Sequence, residues 1–245
     1  MNRPSDSDPY PLHTAARTSQ TQVLEHLLST NPELSLKEDE DGRLPLHWAC
    51  TTPNTDIIRS ILDSTPARSF DPDATDSSGW TPLMISASLP NDAGLAAVEL
   101  LLARDADPKL PSNTGGTALH FATSKGNVDV VRRLLESGAS ARVKDKRGQL
   151  PLHRAAAVGS MPLVKLLLGP GKSPVNATDV DGMTALHHAV GEGHGDVAVE
   201  LMREGADSGK RDAEEKRPID HAPDNSVRQF ILRRAEMEGI DVEEG

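Results

Sequence analysis

His187, His188, Glu192 and His194 form the one local crowd of metal-ligating side chains in the sequence. A zinc centre needs three or four such ligands converging on a point, and on a helix only residues three or four apart share a face. His188 and Glu192 meet that spacing and no third ligand follows them, so no metal is expected. His13, His47, His120, His153 and His187 each occupy the same place in a recurring string, which suits a ring that hydrogen-bonds backbone rather than one that moves protons for a reaction. The chain has no G-x-S-x-G elbow, no glycine-rich phosphate cradle and no cysteine pair. Its sole cysteine, Cys50, falls in a small-residue slot where a free thiol behaves as a small hydrophobe. No catalytic residue and no cofactor is expected. What remains is the chemistry of binding, carried by charged and aromatic side chains.

The string that holds those histidines sets the architecture. It reads Tyr10-Pro11-Leu12-His13, Leu44-Pro45-Leu46-His47, Thr81-Pro82-Leu83-Met84, Thr117-Ala118-Leu119-His120, Leu150-Pro151-Leu152-His153, Thr184-Ala185-Leu186-His187 and, degenerate, Arg217-Pro218-Ile219-Asp220. With the last residue of each as marker (13, 47, 84, 120, 153, 187, 220), the steps are 34, 37, 36, 33, 34 and 33. A period of about 33 with a T-P-L-H-x-A signature is that of the ankyrin repeat. Proline suits the first turn of a helix, where its missing N–H costs nothing, and a preceding Thr such as Thr81 can cap that turn. Apolar pairs follow downstream, among them Leu27-Leu28, Ile61-Leu62, Leu101-Leu102, Leu134-Leu135 and Leu167-Leu168, where a second helix would bury one stripe. Gly42, Gly79, Gly115, Gly148 and Gly182 mark turns between units, and Gly169-Pro170-Gly171 breaks the chain between two of them.

The fold class expected is therefore all-α: a solenoid of about seven helix-turn-helix repeats with projecting hairpin-like loops, starting near residues 10, 44, 81, 117, 150, 184 and 217. Such units cannot bury an apolar face alone, so residues 1–245 are read as one ankyrin-repeat domain. Only 2% of residues are aromatic and 36% hydrophobic, thin for a globular core but sufficient for stacked Leu/Ala helices. Met1 to Pro9 carry neither a basic start nor an apolar stretch, and no secretory signal is expected. One cysteine and no spanning run point to an intracellular chain, expected in cytoplasm and nucleus.

A net charge of −11 disfavours nucleic acid and anionic membrane as partners. The charges are segregated. The first interrepeat loop is acidic, Glu38-Asp39-Glu40-Asp41; the fourth is basic, Lys144-Asp145-Lys146-Arg147, with Lys125 and Arg154 on neighbouring inner helices. A partner with its own charges segregated would fit that gradient. Among the few aromatics, Trp48 and Phe121 follow the motif histidine, a position that is partly core, and Trp80 follows the turn glycine, where a loop tip would offer it as an anchor. The binding residues expected are thus Asp41, Arg43, Trp48, Trp80, Phe121, Lys125, Lys146, Arg147 and Arg154. A repeat protein of this kind is expected to be a monomer.

Asp39-Glu40-Asp41-Gly42-Arg43 leading into Leu46-His47-Trp48-Ala49-Cys50, then Gly79-Trp80-Thr81-Pro82-Leu83, Ser124-Lys125 and His153-Arg154-Ala155-Ala156-Ala157, resemble in this order the gankyrin-like ankyrin-repeat chaperones of the proteasome regulatory particle. The resemblance covers about Asp39 to Asp241. It implies a non-catalytic protein that holds the C-terminal domain of one AAA-type ATPase subunit in its concave groove and hinders premature docking of the ATPase base on the proteolytic core. It implies further that Arg43 and Lys125 meet carboxylates on the ATPase and that Asp41 meets basic residues at the other end of that domain.

The chain departs from the family in places. Gln20 to Val23 stand where the family tends to be acidic. Asp63 to Ala74 is longer than a standard unit and Met84 replaces the motif histidine, so an altered loop is expected around Phe70. The short acidic motif linked to retinoblastoma-protein binding is absent, the matching stretch being His188-Ala189-Val190-Gly191-Glu192. Two other readings stay open on residues alone: a general ankyrin adaptor or inhibitor of a kinase or transcription factor, and a metal-dependent hydrolase at His187 to His194. Arg43, Trp80 and Lys125 with the charge gradient separate the first reading from the adaptor, and stoichiometric zinc would be the mark of the hydrolase.

Overall fold

The computed structural model describes residues 8–66 and 70–243, and among them finds thirteen α-helices, two 3-10 helices and no strand. Inner helices start at the recurring string: α1 (Pro11–Arg17), α3 (Pro45–Ala49), α5 (Pro82–Ala87), α7 (Ala118–Ser124), α9 (Pro151–Val158) and α11 (Ala185–Gly191), with a 3-10 turn (Pro218–His221) in the last unit. Outer helices alternate with them: α2 (Thr21–Thr30), α4 (Thr55–Ser64), α6 (Leu95–Leu102), α8 (Val128–Glu136), α10 (Met161–Leu168), α12 (Gly195–Arg203) and α13 (Asn225–Met237). The other 3-10 helix, Pro32–Leu36, follows α2. Each inner helix touches the inner helices before and after it, and each outer helix its outer neighbours, so the helix pairs stack in sequence order. The long segment expected to distort around Phe70 falls partly on residues outside those described.

Short alanines and leucines make the stack close. Leu28, Ile61, Leu101, Leu134 and Leu167 are buried, whereas Leu27, Leu102, Leu135 and Leu168 lie partly open at the stripe's margin. In the unit without a motif histidine, Met84 fills the position and is buried; Thr81 still caps that helix, its Oγ1 accepting from the N–H of Met84 at 3.3 Å.

The histidines work as second-half capping residues. At the third helical position the Nδ1 of His47, His120, His153 and His187 accepts the N–H of Leu44, Thr117, Leu150 and Thr184 respectively, at 3.0 to 3.1 Å. This is the role a glutamate plays in a capping box. With Nδ1 accepting, Nε2 carries the proton and donates across to the next loop: His47 to the carbonyls of Ala74 and Trp80, His120 to Gln149, His153 to Ala177 and His187 to Lys216. His13 bridges to the Arg43 carbonyl at 2.9 Å. Burial disfavours the charged ring and pushes His120 and His153 down to about 4.

Each loop is a five-residue turn, residues 39–43, 76–80, 112–116, 145–149, 179–183 and 212–216, closed by backbone bonds such as Asp76 N–H to the Trp80 carbonyl and Gly79 N–H to the Asp76 carbonyl. Its fourth residue has positive φ, which glycine supplies in all but the last loop, where Glu215 takes φ 61°. One further bond ties each tip to the next: Ser77 to Asp41, Asn113 to Ser78, Lys146 to Thr114, Val180 to Arg147 and Ala213 to Asp181, each N–H donating to a carbonyl.

Candidate partner-binding site

The side formed by inner helices and loops carries the residues that sequence reasoning selected. The first residue of five of the six loops is an aspartate, and one oxygen of each accepts two backbone N–H groups of its own turn, as Asp39 does from Asp41 and Arg43 at 2.9 Å. The second oxygen meets a donor that in four cases lies nine residues on, in the slot after the motif histidine: Trp48 Nε1 on Asp39 at 2.7 Å, Arg154 Nη2 on Asp145 at 2.6 Å, His188 Nε2 on Asp179 at 3.0 Å and His221 Nε2 on Asp212 at 2.6 Å. Burial acts to raise the Asp145 carboxyl, but Arg154 and the backbone donors outweigh it and hold the group below its ordinary range. Asp76 takes its donor from elsewhere, Arg43 Nε at 3.1 Å. Arg43 and Arg154 are therefore anchored to buried carboxylates and Trp48 to the half-buried Asp39, all three half-open to solvent, a preorganised surface with little side-chain freedom left to lose on binding.

Trp80 lies at the base of its loop, not at the tip: its N–H donates to Asp76 and its carbonyl accepts from Asp76 and His47. Its ring stacks on Phe121 with centroids 4.1 Å apart and an interplanar angle of 28°, so two aromatics from successive units form one half-buried platform. Trp48 is separately covered by guanidinium groups, Arg43 Cζ at 5.1 Å and Arg17 Cζ at 5.6 Å from the ring centre. Arg17 escaped sequence reasoning because nothing local links it to a tryptophan 31 residues on.

Lys125 is exposed at the end of α7, and Lys146 and Arg147 are exposed at the fourth tip. Their side chains take no ion pair among the described residues. Asp41 is exposed at the first tip, its carbonyl taken by Ser77. The tip pairs along the edge read Glu40-Asp41, Ser77-Ser78, Asn113-Thr114, Lys146-Arg147, Val180-Asp181 and Ala213-Glu214, so the tie between tips places an acidic pair three loops from a basic one.

The local histidine cluster is not brought to a point. His188 pairs with Asp179, and His194 Nε2 donates to the Ala157 carbonyl at 3.1 Å. A different trio, His187, Asp212 and His221, places ligand atoms within 4.8 Å of one another. Both nitrogens of His187 already meet backbone, and both oxygens of Asp212 are engaged by Lys216, Glu214 and His221, so the trio is a hydrogen-bonded seam between two units. Cys50 is fully buried, and burial pushes its thiol up to about 12.

Stacked helix pairs, tip-to-tip loops and a surface of anchored side chains define a repeat protein built for protein contacts. The chain belongs to the ankyrin-repeat family: a family model described as ankyrin repeats matches three times, over residues 2–70, 67–145 and 138–212. Within that family it is gankyrin-like, as its motifs imply. It is 42% identical over 226 residues to the probable 26S proteasome regulatory subunit p28 of Saccharomyces cerevisiae, covering 91% of this chain and 97% of that one. It is 36% identical over 171 residues to the ankyrin repeat-containing protein C6C3.08 of Schizosaccharomyces pombe, covering 70% and 73%. Among solved structures, the human ASB11 ankyrin repeat domain shares the fold with a TM-score of 0.80 at 24% identity, over 91% of this chain and 97% of that one. The Bcl-3 ankyrin repeat domain gives 0.72 at 29%, over 94% and 100%.

Proposed function

We propose that the chain is a non-catalytic assembly chaperone that seats the C-terminal domain of an AAA-type ATPase subunit of the proteasome regulatory particle on its inner-helix and loop side. The observation that carries this reading is the segregation of unpaired charge, Glu40 and Asp41 at one tip and Lys125, Lys146 and Arg147 toward the middle, on either side of the Trp80–Phe121 platform. Two charged ends orient a partner and speed encounter, and the aromatic area between them supplies affinity. The relationship to a protein named as a proteasome regulatory subunit supports the choice of partner. A monomeric chain, acting as one ankyrin-repeat domain over residues 1–245 in cytoplasm and nucleus, goes with this reading.

The test is a pull-down from cell extract read by mass spectrometry, comparing wild type with a Lys125→Glu, Lys146→Glu, Arg147→Glu variant. Reversing Arg43 is unsuitable, because a glutamate there would face the buried Asp76 carboxylate, whose side chain is 2% exposed. Enrichment of one proteasomal ATPase with its neighbours, lost in the triple variant, supports the proposal. An eluate free of proteasome and dominated by a kinase or a transcription factor overturns it in favour of a general adaptor.

A further inference from the structure

The row of outer helices that begins with α2 ends at α13, which packs on α12 with one side and turns the other outward. On the covered side lie Ile231 and Ala235, both buried. On the far side Ser226, Phe230, Arg233 and Met237 follow at steps of four, three and four, which sets them in one stripe, and all four are exposed. The terminal unit of a repeat stack normally turns a polar face outward, which keeps it soluble. At the opposite end α2 conforms, its exposed residues being Gln22, Glu25, His26, Ser29 and Thr30. The stripe on α13 does not, with Phe230 49% and Met237 78% exposed. The Phe230 ring is held in place by backbone: its nearest edge atom lies 2.6 Å from where a Cβ on Gly195 would stand, so it rests on the start of α12 with its other half open. Beside it, a cleft of about 520 Å³ is lined by Ser226, Arg233, Arg234 and Met237.

We propose that this stripe is a second docking surface, apart from the inner-helix and loop side, and that it takes an acidic amphipathic helix of a partner protein, laid alongside α13 as the next outer helix of the row. A helix is what the row packs at every junction before this one, and Phe230 and Met237, two turns apart, are spaced to meet the apolar residues of another. The charge of the occupant follows from the arginines. α13 carries Arg228, Arg233 and Arg234 against Glu236 alone, a basic helix in a chain of net charge −11. Arg233 makes no ion pair among the described residues, and Arg234 shares Glu238 with Arg203. Cations beside an apolar stripe select a helix whose own apolar residues are flanked by carboxylates. A second copy of this chain lacks that complement, because two-fold pairing of α13 with itself sets Arg233 and Arg234 opposite their twins. An anionic bilayer is repelled by the acidic remainder of the chain. The inference does not depend on what the inner-helix side holds.

The experiment uses the full chain, isotope-labelled in its methionine methyl groups and followed by NMR, with the Met237 signal assigned by its loss in Met237→Leu. The probe is a stapled helix with leucines at successive turns and flanking glutamates; one twin carries lysine in place of the glutamates and another serine in place of the leucines. The expected result is a saturable shift of the Met237 signal by the acidic probe alone, with the signal of buried Met84 unmoved. Affinity should fall roughly tenfold in Arg233→Glu, with an unchanged melting temperature because the side chain is exposed, and should weaken as salt is added. Equal binding of the acidic and lysine probes, unchanged binding in Arg233→Glu, or no shift at Met237 overturns the proposal. A Met237 shift on raising protein concentration alone overturns it in favour of a second copy, and a shift with phosphatidylserine vesicles but not with the acidic probe overturns it in favour of a membrane surface.

Discussion

Arg154 Nη2 lies 2.6 Å from Asp145 Oδ2, in an ion pair whose carboxylate is 3% exposed and whose arginine is 26% exposed. The aspartate also holds its own turn through the N–H groups of Arg147 and Gln149, so the two partners are unequal. Asp145→Ala strands a half-buried guanidinium and two backbone donors together, and its cost should be about 2–4 kcal/mol. Arg154→Ala leaves a carboxylate that still satisfies its turn and should cost about half as much. Urea unfolding of the two variants checks the order; a larger loss for Arg154→Ala would show that the pair, not the turn, is what the carboxylate secures.

The stacked pair Trp80–Phe121 joins two successive units. A double-mutant cycle with Trp80→Ala and Phe121→Ala should give a coupling of about 0.5–1.5 kcal/mol in stability, the range for offset aromatic pairs. Additive losses would mean the rings merely share a surface.

Acid should weaken the fold in a defined window. His120 and His153 titrate near 4 in the folded chain against 6.5 in the unfolded one, so between those values the unfolded chain binds more protons. Stability from the neutral rings is complete above about 6.5 and falls as pH drops toward 4. Below that, the loop carboxyls of Asp39, Asp145, Asp179 and Asp212, lowered from 3.8 despite burial by their hydrogen bonds, add a second loss of the same sign. Urea midpoints measured between pH 4 and 7 should slope upward with pH, and His120→Gln with His153→Gln should flatten the slope. A flat wild-type profile would contradict the neutral-ring picture.

Cys50 should resist alkylation in the native state. Its thiol is buried and raised to about 12, so the thiolate that reacts is scarce and out of reach. Iodoacetamide labelling followed by mass spectrometry should modify it only at denaturant concentrations that unfold its unit; rapid labelling of native protein would refute this.

The helix starts were legible because they depend on neighbours in the chain: a proline or threonine opens the turn, and a histidine three places on accepts the first N–H. The bridging role of those histidines was legible too, since a polar ring recurring at one buried place must have a backbone partner. What escaped were the side-chain partners chosen between units. That Trp80 stacks on Phe121 at the base of a loop, that Arg43 holds Asp76, and that Arg17 covers Trp48 all depend on how one unit is set against the next. No local spacing encodes that rotation.

The loop tips are tied by one backbone hydrogen bond at each junction, from Asp41–Ser77 through Asp181–Ala213, while among the described residues the helices pack chiefly on those next to them in the stack. In a stack joined only from unit to unit, the separation of the acidic and basic tips is set by no single contact but by the three junctions that lie between them. A substitution at any one of those seams therefore shifts one charged end relative to the other while leaving both ends chemically unchanged.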